Sequence, residues 1–254
     1  MSKGNTAKAG TIRVGVGGWT YEPWRGVFYP EGLAQKRELE FASRHLDTIE
    51  INGTYYGSQK PESFAKWRDE SPEGFVFSLK APRFATNRRV LAEAGASIER
   101  FFKSGVMELG AKLGPVNWQF MATKKFDPPD FEGFLKLLPR EVDGRTLRHV
   151  VEVRHESFGA PEFVAMARAY GVAICLAGDS KFPEIDDVTA DFAYARIMGT
   201  VEGEALGYAK PALEAWAGRV RALAAGKRDV FLYVISGFKQ SNPKAALALI
   251  ERLR

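Results

Sequence analysis

Two kinds of segment alternate along this chain almost to its end, and this alternation limits the possible folds more than any other feature. Short apolar runs with β-branched or aromatic residues predict eight buried strands, at residues 13–17, 48–52, 76–80, 116–120, 150–154, 173–177, 193–197 and 230–235. Amphipathic stretches with helix start and stop signals lie between them, at residues 33–45, 61–69, 92–113, 129–138, 161–170, 210–225 and 243–253. The segment at residues 180–189 is short, and we expect at most one helical turn there.

Strands that alternate with helices predict parallel pairing and right-handed crossovers. An open doubly wound sheet and a closed barrel both satisfy this pattern. Eight strand–helix units in 254 residues favour the barrel, because open sheets more often have five or six strands. We therefore predict an α/β fold of the TIM-type (β/α)8 barrel class, with residues 11–254 as a single domain after a flexible tail at residues 1–10.

The composition is that of a globular protein, with 45% hydrophobic and 26% charged residues. The one cysteine, Cys175, lies in an apolar run, where we expect a small core residue. A lone cysteine cannot form an internal disulfide, which favours a reducing compartment. The first ten residues contain no apolar stretch, and no window approaches the roughly 18 apolar residues of a membrane span. We therefore expect a cytoplasmic protein that does not associate with membranes.

Polar residues at every second position indicate which face of each strand points into the barrel. In the second strand, Ile49 and Ile51 are expected to pack on helices, so that Glu50 and Asn52 point inward. The same alternation in the other strands predicts one polar cluster near the carboxyl ends of the strands, consisting of Glu50, Asn52, Lys80, Gln119, Glu152, Arg154, Asp179 and Arg196.

The three acids and three bases of this cluster sum to zero charge. Charged groups are seldom buried unless they are paired, and apolar residues fill a barrel at least as stably. Barrel enzymes have their active sites at the carboxyl ends of the strands. We therefore interpret the cluster as a functional pocket, although a pair such as Glu152 with Arg154 could act as a structural salt bridge.

Two further features bear on the chemistry of this pocket. His155 follows the fifth strand and is the only histidine placed for catalysis. The acids with His155 could hold a divalent metal, but Lys80, Arg154 and Arg196 would repel it, so we expect no metal. We also expect no cofactor, because residues 15–18 lack the third glycine and the ribose-binding acid of a dinucleotide site.

The loop at residues 17–30 contains five aromatic residues, including Trp19, together with Arg25. These rings could stack on a sugar or a base, or they could pack the loop onto the mouth of the barrel. The sequence does not distinguish these two interpretations.

Several longer motifs resemble those of the family called domain of unknown function 72, or YecE-like. They are GGWTYEPWRGVFYP at residues 17–30, TIEINGTYY at 48–56, FSLKAPR at 77–83, the LGP and QF of residues 113–120, EVRH at 152–155 and TADFAYAR at 189–196. The resemblance extends from about Ile12 to Leu253 and implies an α/β barrel, but no assigned reaction. The chain departs from the family pattern at residues 197–199 and 233–243, at the predicted pocket rim.

Three functions are compatible with these residues. The first is an enzyme that acts on a small anionic, hydroxylated metabolite such as a sugar phosphate or sugar acid. In it, Lys80, Arg154 and Arg196 would bind the anion, and Glu50, Glu152 and His155 would be the acid–base candidates. The other proposed substrate contacts are Trp19, Asn52, Gln119 and Asp179.

The second hypothesis is a protein that binds or processes nucleic acid, and the third is a barrel that binds a metabolite without turnover. The net charge of +5 and the aromatic loop support the second. A basic groove on one face would distinguish it from the first. A bound metabolite without turnover would identify the third, because a barrel fold does not by itself imply a function.

Overall fold

The computed structural model describes residues 10–254, and in this range eight parallel strands close into a barrel. In chain order the strands are β1 (Ile12–Gly17), β2 (Thr48–Ile51), β3 (Val76–Lys80), β4 (Leu113–Gln119), the hairpin strands β5 (Glu141–Val142) and β6 (Arg145–Thr146), then β7 (His149–Glu152), β8 (Ala173–Gly178), β9 (Phe192–Ile197) and β10 (Asp229–Val234). The barrel closes through parallel pairing of β1 with β10 and with β2. The predicted fold class is confirmed. The predicted tail, except Gly10, lies outside the described residues.

Helices pack around the outside of this barrel. They are α1 (Glu38–His45), α2 (Gly53–Tyr56), α3 (Pro61–Glu70), α4 (Arg83–Thr86), α5 (Gly95–Lys103), α6 (Pro128–Leu137), α7 (Pro161–Ala169), α8 (Lys210–Leu223) and α9 (Asn242–Leu253). Proline stands at the start of several of them. A backbone N–H has no intrahelical acceptor at this position, so proline, which lacks the N–H, costs no hydrogen bond there.

The predicted long helix at residues 92–113 is wrong. The chain forms α5 and then a 3-10 segment, Val106–Lys112. Gly105 and Gly110 have φ angles of 105° and 54°, a left-handed conformation that ends an α-helix. Between β8 and β9 the chain forms no helix.

The inward and outward faces of the strands follow the predicted alternation. Ile49, Ile51 and Val151 pack in the core between strands and helices, whereas Cys175 belongs to the apolar core inside the barrel. Successive layers fill this interior from the amino ends of the strands upward. Phe192 and Phe231 form an apolar layer, with ring centroids 6.2 Å apart. Tyr194 and Tyr233 follow, with centroids 5.1 Å apart, and charged side chains lie above them.

Glycine is needed where β1 approaches β2 inside the barrel. A Cβ on Gly15 would lie 1.8 Å from the carbonyl oxygen of Thr48, so the backbones would have to separate. We expect Gly15→Ala to lower the free energy of unfolding by about 1–3 kcal/mol, measured by urea denaturation. Gly218 in α8 has open space around it. Gly218→Ala should therefore be neutral or stabilise by about 0.5–1 kcal/mol, and equal losses in both variants would contradict this explanation.

Candidate functional site

Charged and amide side chains from five barrel strands meet at the carboxyl ends of the strands. All of them are buried: Glu50 from β2, Lys80 from β3, Asn117 and Gln119 from β4, Glu152 from β7 and Arg196 from β9. Arg154 joins them from the residues just after β7 and is partly exposed. These seven residues are called the charged cluster below. Because they alternate with core residues along parallel strands, their side chains point into the same space.

Arg196 bridges the two acids of the charged cluster. Its Nη1 donates to Glu152 Oε2 at 2.7 Å, and its Nη2 donates to Glu50 Oε1 at 2.9 Å. Burial opposes the charge, but the carboxylates of Glu152 and Glu50 more than offset it and raise the pKa of Arg196. Arg196 is only 3% exposed and its terminal nitrogens are engaged, so its predicted role as a ligand-binding group does not suit this geometry.

Glu152 is the most heavily hydrogen-bonded acid of the cluster. Its Oε1 accepts from Gln119 Nε2 and from two nitrogens of Arg154, while its Oε2 accepts from Asn117 Nδ2 and Arg196 Nη1. Burial alone would raise the pKa of Glu152, but the charges of Arg196 and Arg154 and these amide donors lower it to about 2. Glu152 is therefore a permanent anion at neutral pH, which is poorly suited to its predicted role in proton transfer.

Glu50 contacts a phenol as well as a guanidinium. Its Oε2 accepts from the Tyr194 hydroxyl at 2.6 Å, and that hydroxyl lies 3.0 Å from Ser78 Oγ. Burial and the neighbouring carboxylate raise the pKa of Tyr194, which keeps the phenol protonated as a donor. Glu50 is fully buried, so it lies beneath the surface that a ligand would meet.

Lys80 has a different environment from the other bases of the cluster. Its Nζ donates to Gln119 Oε1 at 3.0 Å and lies 4.2 Å from the centre of the Tyr55 ring. No carboxylate of residues 10–254 lies within 4.0 Å of it. Burial, together with the charge of Arg196, lowers the pKa of Lys80 to about 8. Its amine is therefore partly unprotonated at mildly alkaline pH.

Arg154 is the most exposed member of the cluster, with 24% of its side chain accessible. Its Nε and Nη2 both donate to Glu152 Oε1, at 3.0 and 2.7 Å. Its guanidinium lies over the Phe182 ring, 4.4 Å from the centre. With Lys80 and Arg196 it makes three bases against the two acids Glu50 and Glu152, so the charged cluster carries one surplus positive charge.

Two predicted site residues do not join the cluster, because the chain turns before reaching them. Asp179 has a φ of 52°, and its Oδ2 accepts from Trp216 Nε1 at 2.7 Å and from the Tyr208 hydroxyl at 3.0 Å. Trp19 follows Gly18, whose φ is 72°, and packs on Trp67 of α3, outside the barrel. The zero charge sum is therefore corrected to a positive surplus.

Asn52 and His155 lie near the cluster in sequence but have different surroundings. The Asn52 side chain lies beside Gly17, where a Cβ would be 2.7 Å from its Nδ2, and it is half-buried at the end of β2. His155 caps the 3-10 helix Glu156–Gly159, because its Nδ1 accepts from the Ser157 backbone N–H at 3.1 Å. The His155 Nδ1 is thus engaged in this cap. Within residues 10–254, no three His, Cys, Asp or Glu side chains converge as metal ligands.

The first loop uses most of its aromatic residues for packing. Trp24 and Tyr29 are buried, and their rings contact Phe28 and, for Tyr29, Phe41 of α1. Trp24 Nε1 donates to the Lys239 carbonyl at 2.9 Å, which ties the loop to the segment after β10. The packing interpretation of this loop therefore agrees with the structure for these residues.

Sequence reasoning missed some members of this region. Asn117, Tyr55 and Phe182 were not selected as site residues, although the alternation places Asn117 on the inward face, two residues before Gln119. It also missed a cavity of about 710 Å³ at the amino ends of the strands. This cavity is lined by Arg13, Arg140, Arg148, Arg168, Asp191 and Asp229, among others. These residues come from strand starts, loops and the last turn of α7, so no motif connects them.

The fold and the charged cluster define the class of protein: a TIM-type α/β barrel whose ionic groups meet at the carboxyl ends of its strands. The chain belongs to the DUF72 family, since the family model described as "Protein of unknown function DUF72" matches residues 13–254. The resemblance inferred from the sequence motifs is confirmed. No helix among the described residues is both long and apolar enough to cross a membrane.

The chain is similar to curated and to solved members of this family. It is 29% identical to the UPF0759 protein YecE of Escherichia coli over 152 residues, which is 59% of this chain and 50% of that protein. The chain thus matches about half the length of this relative. A DUF72 protein of Thermotoga maritima has a TM-score of 0.78 and 22% identity, covering 96% of this chain and 99% of that one. A DUF72 protein of Enterococcus faecalis has a TM-score of 0.74 and 18% identity, covering 96% and 98%.

Proposed function

We propose that the carboxyl end of the barrel is the active site of an enzyme for a small anionic, hydroxylated metabolite, such as a sugar phosphate or a sugar acid. The observation that carries this proposal is the surplus positive charge of the charged cluster, together with its distribution. Arg196 donates to both glutamates, whereas the Lys80 ammonium donates only to the neutral amide of Gln119 and the Arg154 side chain is partly exposed. Lys80 and Arg154 thus both keep N–H donors for an anion.

Both cations can donate to a ligand without breaking their present contacts. A lysine ammonium has three N–H donors, of which Gln119 takes one. An arginine guanidinium has five, and Glu152 takes two of those of Arg154. Charge-assisted hydrogen bonds to phosphate or carboxylate are roughly twice as strong as neutral ones. Asn52 is the proposed partner for hydroxyl groups, because both ends of the Gln119 amide are engaged within the cluster.

The proposed chemistry shifts from the glutamates to Lys80. Glu152 is held as an anion, Glu50 is fully buried, and the His155 ring caps a 3-10 helix. Lys80 lies in the charged cluster with a pKa of about 8, so part of its amine is unprotonated at mildly alkaline pH. We propose Lys80 as the reacting group, with Glu50 and Glu152 balancing the charge around it.

The nucleic-acid hypothesis loses one of its supports. The loop aromatics Trp24 and Tyr29, which were candidates for stacking on bases, are buried in the packing of the loop. The four arginines around the cavity at the amino ends could attract a polyanion, but they lie at the opposite end from the charged cluster. A metabolite-binding barrel without turnover remains the alternative that shares the proposed site.

Anion binding should appear as thermal stabilisation. A ligand at 100 times its dissociation constant adds about 2.7 kcal/mol, roughly 5 °C or more in Tm for a chain of this size. We expect glycerol 3-phosphate or a sugar acid to produce such a shift in the wild type and in Arg37→Ala, whose arginine pairs with Glu40 on the surface. Arg154→Ala should lose most of it, relative to its own unliganded Tm. An equal shift in Arg154→Ala, or none in the wild type, would contradict the proposal.

A further inference from the structure

The environment of Lys80 resembles that of a reactive amine more than that of a structural cation. It is 7% exposed, yet its hydrogen-bond acceptor is the neutral amide oxygen of Gln119, and its other close neighbour is the Tyr55 ring. The backbone that carries it is firmly held, because the Lys80 carbonyl accepts from Thr54 Oγ1 at 2.6 Å. A lysine retained for stability would be expected to contact a carboxylate, and two are present in the same cluster.

We propose that Lys80 is a covalent nucleophile that forms an imine with the open-chain aldehyde or ketone form of an anionic metabolite. This inference rests on the proposed function and deepens it, because it restricts the substrate to a carbonyl compound that carries a phosphate or carboxylate. The anionic group would bind Arg154, which contacts the same Glu152–Gln119 chain of hydrogen bonds as Lys80.

The step balances without any further reactant. The free amine of Lys80 attacks the carbonyl carbon, and a C–N bond forms while the carbonyl oxygen becomes the hydroxyl of a carbinolamine. This hydroxyl leaves as water. Counted from the ammonium, two of the three Nζ protons depart with the oxygen, and the product is a protonated imine that keeps one N–H and one positive charge.

The surroundings suit that product. The remaining N–H can still donate to Gln119 Oε1, and the cation stays over the face of the Tyr55 ring. Four charged groups act on this nitrogen: Arg196 and Arg154 favour the free amine, while Glu50 and Glu152 stabilise the cation. The burial that lowers the pKa of Lys80 makes the free amine available, and the two acids stabilise the positive charge of the iminium.

Lys112 provides an internal control in the same chain. Burial also lowers its pKa, but its Nζ donates to the Arg68 carbonyl, the Ser71 carbonyl and Ser71 Oγ. All three N–H donors are therefore held by oxygen acceptors. If a lowered pKa were sufficient, Lys112 would react like Lys80. If the amine must also have few oxygen acceptors, Lys112 would not react.

Reductive trapping tests this proposal on the full chain. The wild type is incubated briefly with D-glyceraldehyde 3-phosphate and sodium cyanoborohydride at pH 7.5, and the modified lysines are mapped by mass spectrometry. We expect Lys80 to be labelled at least tenfold faster than Lys112. Neutral D-glyceraldehyde should label Lys80 more slowly, and Arg154→Ala should remove the advantage of the phosphate. Lys80→Arg should lose the site-specific label, and the wild type should show the thermal shift with glycerol 3-phosphate, which has no carbonyl.

The outcomes separate this inference from the proposed function. Labelling of Lys80 no faster than that of Lys112, with the glycerol 3-phosphate shift intact, overturns imine formation and leaves the anion site standing. Equal labelling of Lys80 by both aldehydes overturns the restriction to anionic carbonyl compounds, and a missing thermal shift would then overturn the proposed function as well. The comparison of Lys80 with Lys112 uses the wild type, so it does not depend on the folding of any variant.

Discussion

Replacing Arg196 with methionine should lower the free energy of unfolding by about 3–5 kcal/mol at neutral pH, as found when one partner of a buried ion pair is removed. Arg196 separates two fully buried carboxylates and donates to both of them. Without it, Glu50 and Glu152 would face each other through Asn117, which contacts both at 3.4 and 3.0 Å. Neither carboxylate could recover its hydration, because both are fully buried.

Urea denaturation of the wild type, Arg196→Met, Arg196→Lys and Arg37→Met measures this effect. Arg196→Lys should recover only part of the loss, since one ammonium does not reproduce two parallel donors to different carboxylates. Arg37→Met should leave stability unchanged, because Arg37 lies on the surface. A loss in Arg196→Met no larger than that in Arg37→Met would mean that the bridge does not hold the charged cluster together.

Replacing Lys80 with methionine should have the opposite effect and stabilise the protein at neutral pH. The pKa of Lys80 falls from 10.5 to about 8 on folding. Below pH 8, where Lys80 is protonated in both states, this shift lowers the free energy of unfolding by about 3 kcal/mol. Methionine removes this cost. It also leaves Gln119 Oε1 without its donor, which costs about 1 kcal/mol, so the expected net gain is about 1–2 kcal/mol.

The stability gain of Lys80→Met should depend on pH, whereas a change in packing alone would give the same gain at every pH. Between pH 8 and 10.5 the unfolded chain binds more protons at Lys80 than the folded chain does, so wild-type stability should rise with pH in this window. The gain of Lys80→Met should therefore be full below pH 8 and disappear towards pH 10.5. If Lys80→Met is instead destabilised like Arg196→Met, Lys80 is a structural cation and the proposed reactive role fails.

The variants Arg196→Met and Lys80→Met distinguish a structural from a functional cation within the charged cluster. Arg196 bridges the two acids, whereas Lys80 is expected to lower the stability of the fold, a cost that a functional role would explain. The sequence alone did not distinguish them, because alternation along a strand predicts which side chains point inward but not which of them pair. Pairing depends on the register between strands and on side-chain length. Both are known only once Gln119 and Glu152 are seen side by side in paired strands.

The sequence predicted the strands and their inward faces well because both follow from a period of two in buried segments. It failed where the chain leaves a strand. Asp179 was assigned to the pocket by extending the alternation beyond β8, and Trp19 as an aromatic residue of the first loop, but the left-handed turns at Asp179 and Gly18 redirect the backbone. The predicted long helix at residues 92–113 failed for the same reason, since Gly105 and Gly110 interrupt a pattern that is otherwise helical.

A crystal structure of the protein with glycerol 3-phosphate tests the location of the proposed site most directly. The proposal predicts phosphate density at the carboxyl end of the barrel, with oxygens within hydrogen-bond distance of Lys80 Nζ and of the Arg154 guanidinium, and with Arg196 still bridging Glu50 and Glu152. Density confined to the arginine-lined cavity at the amino ends of the strands, with the carboxyl end unoccupied at saturating ligand, would contradict it.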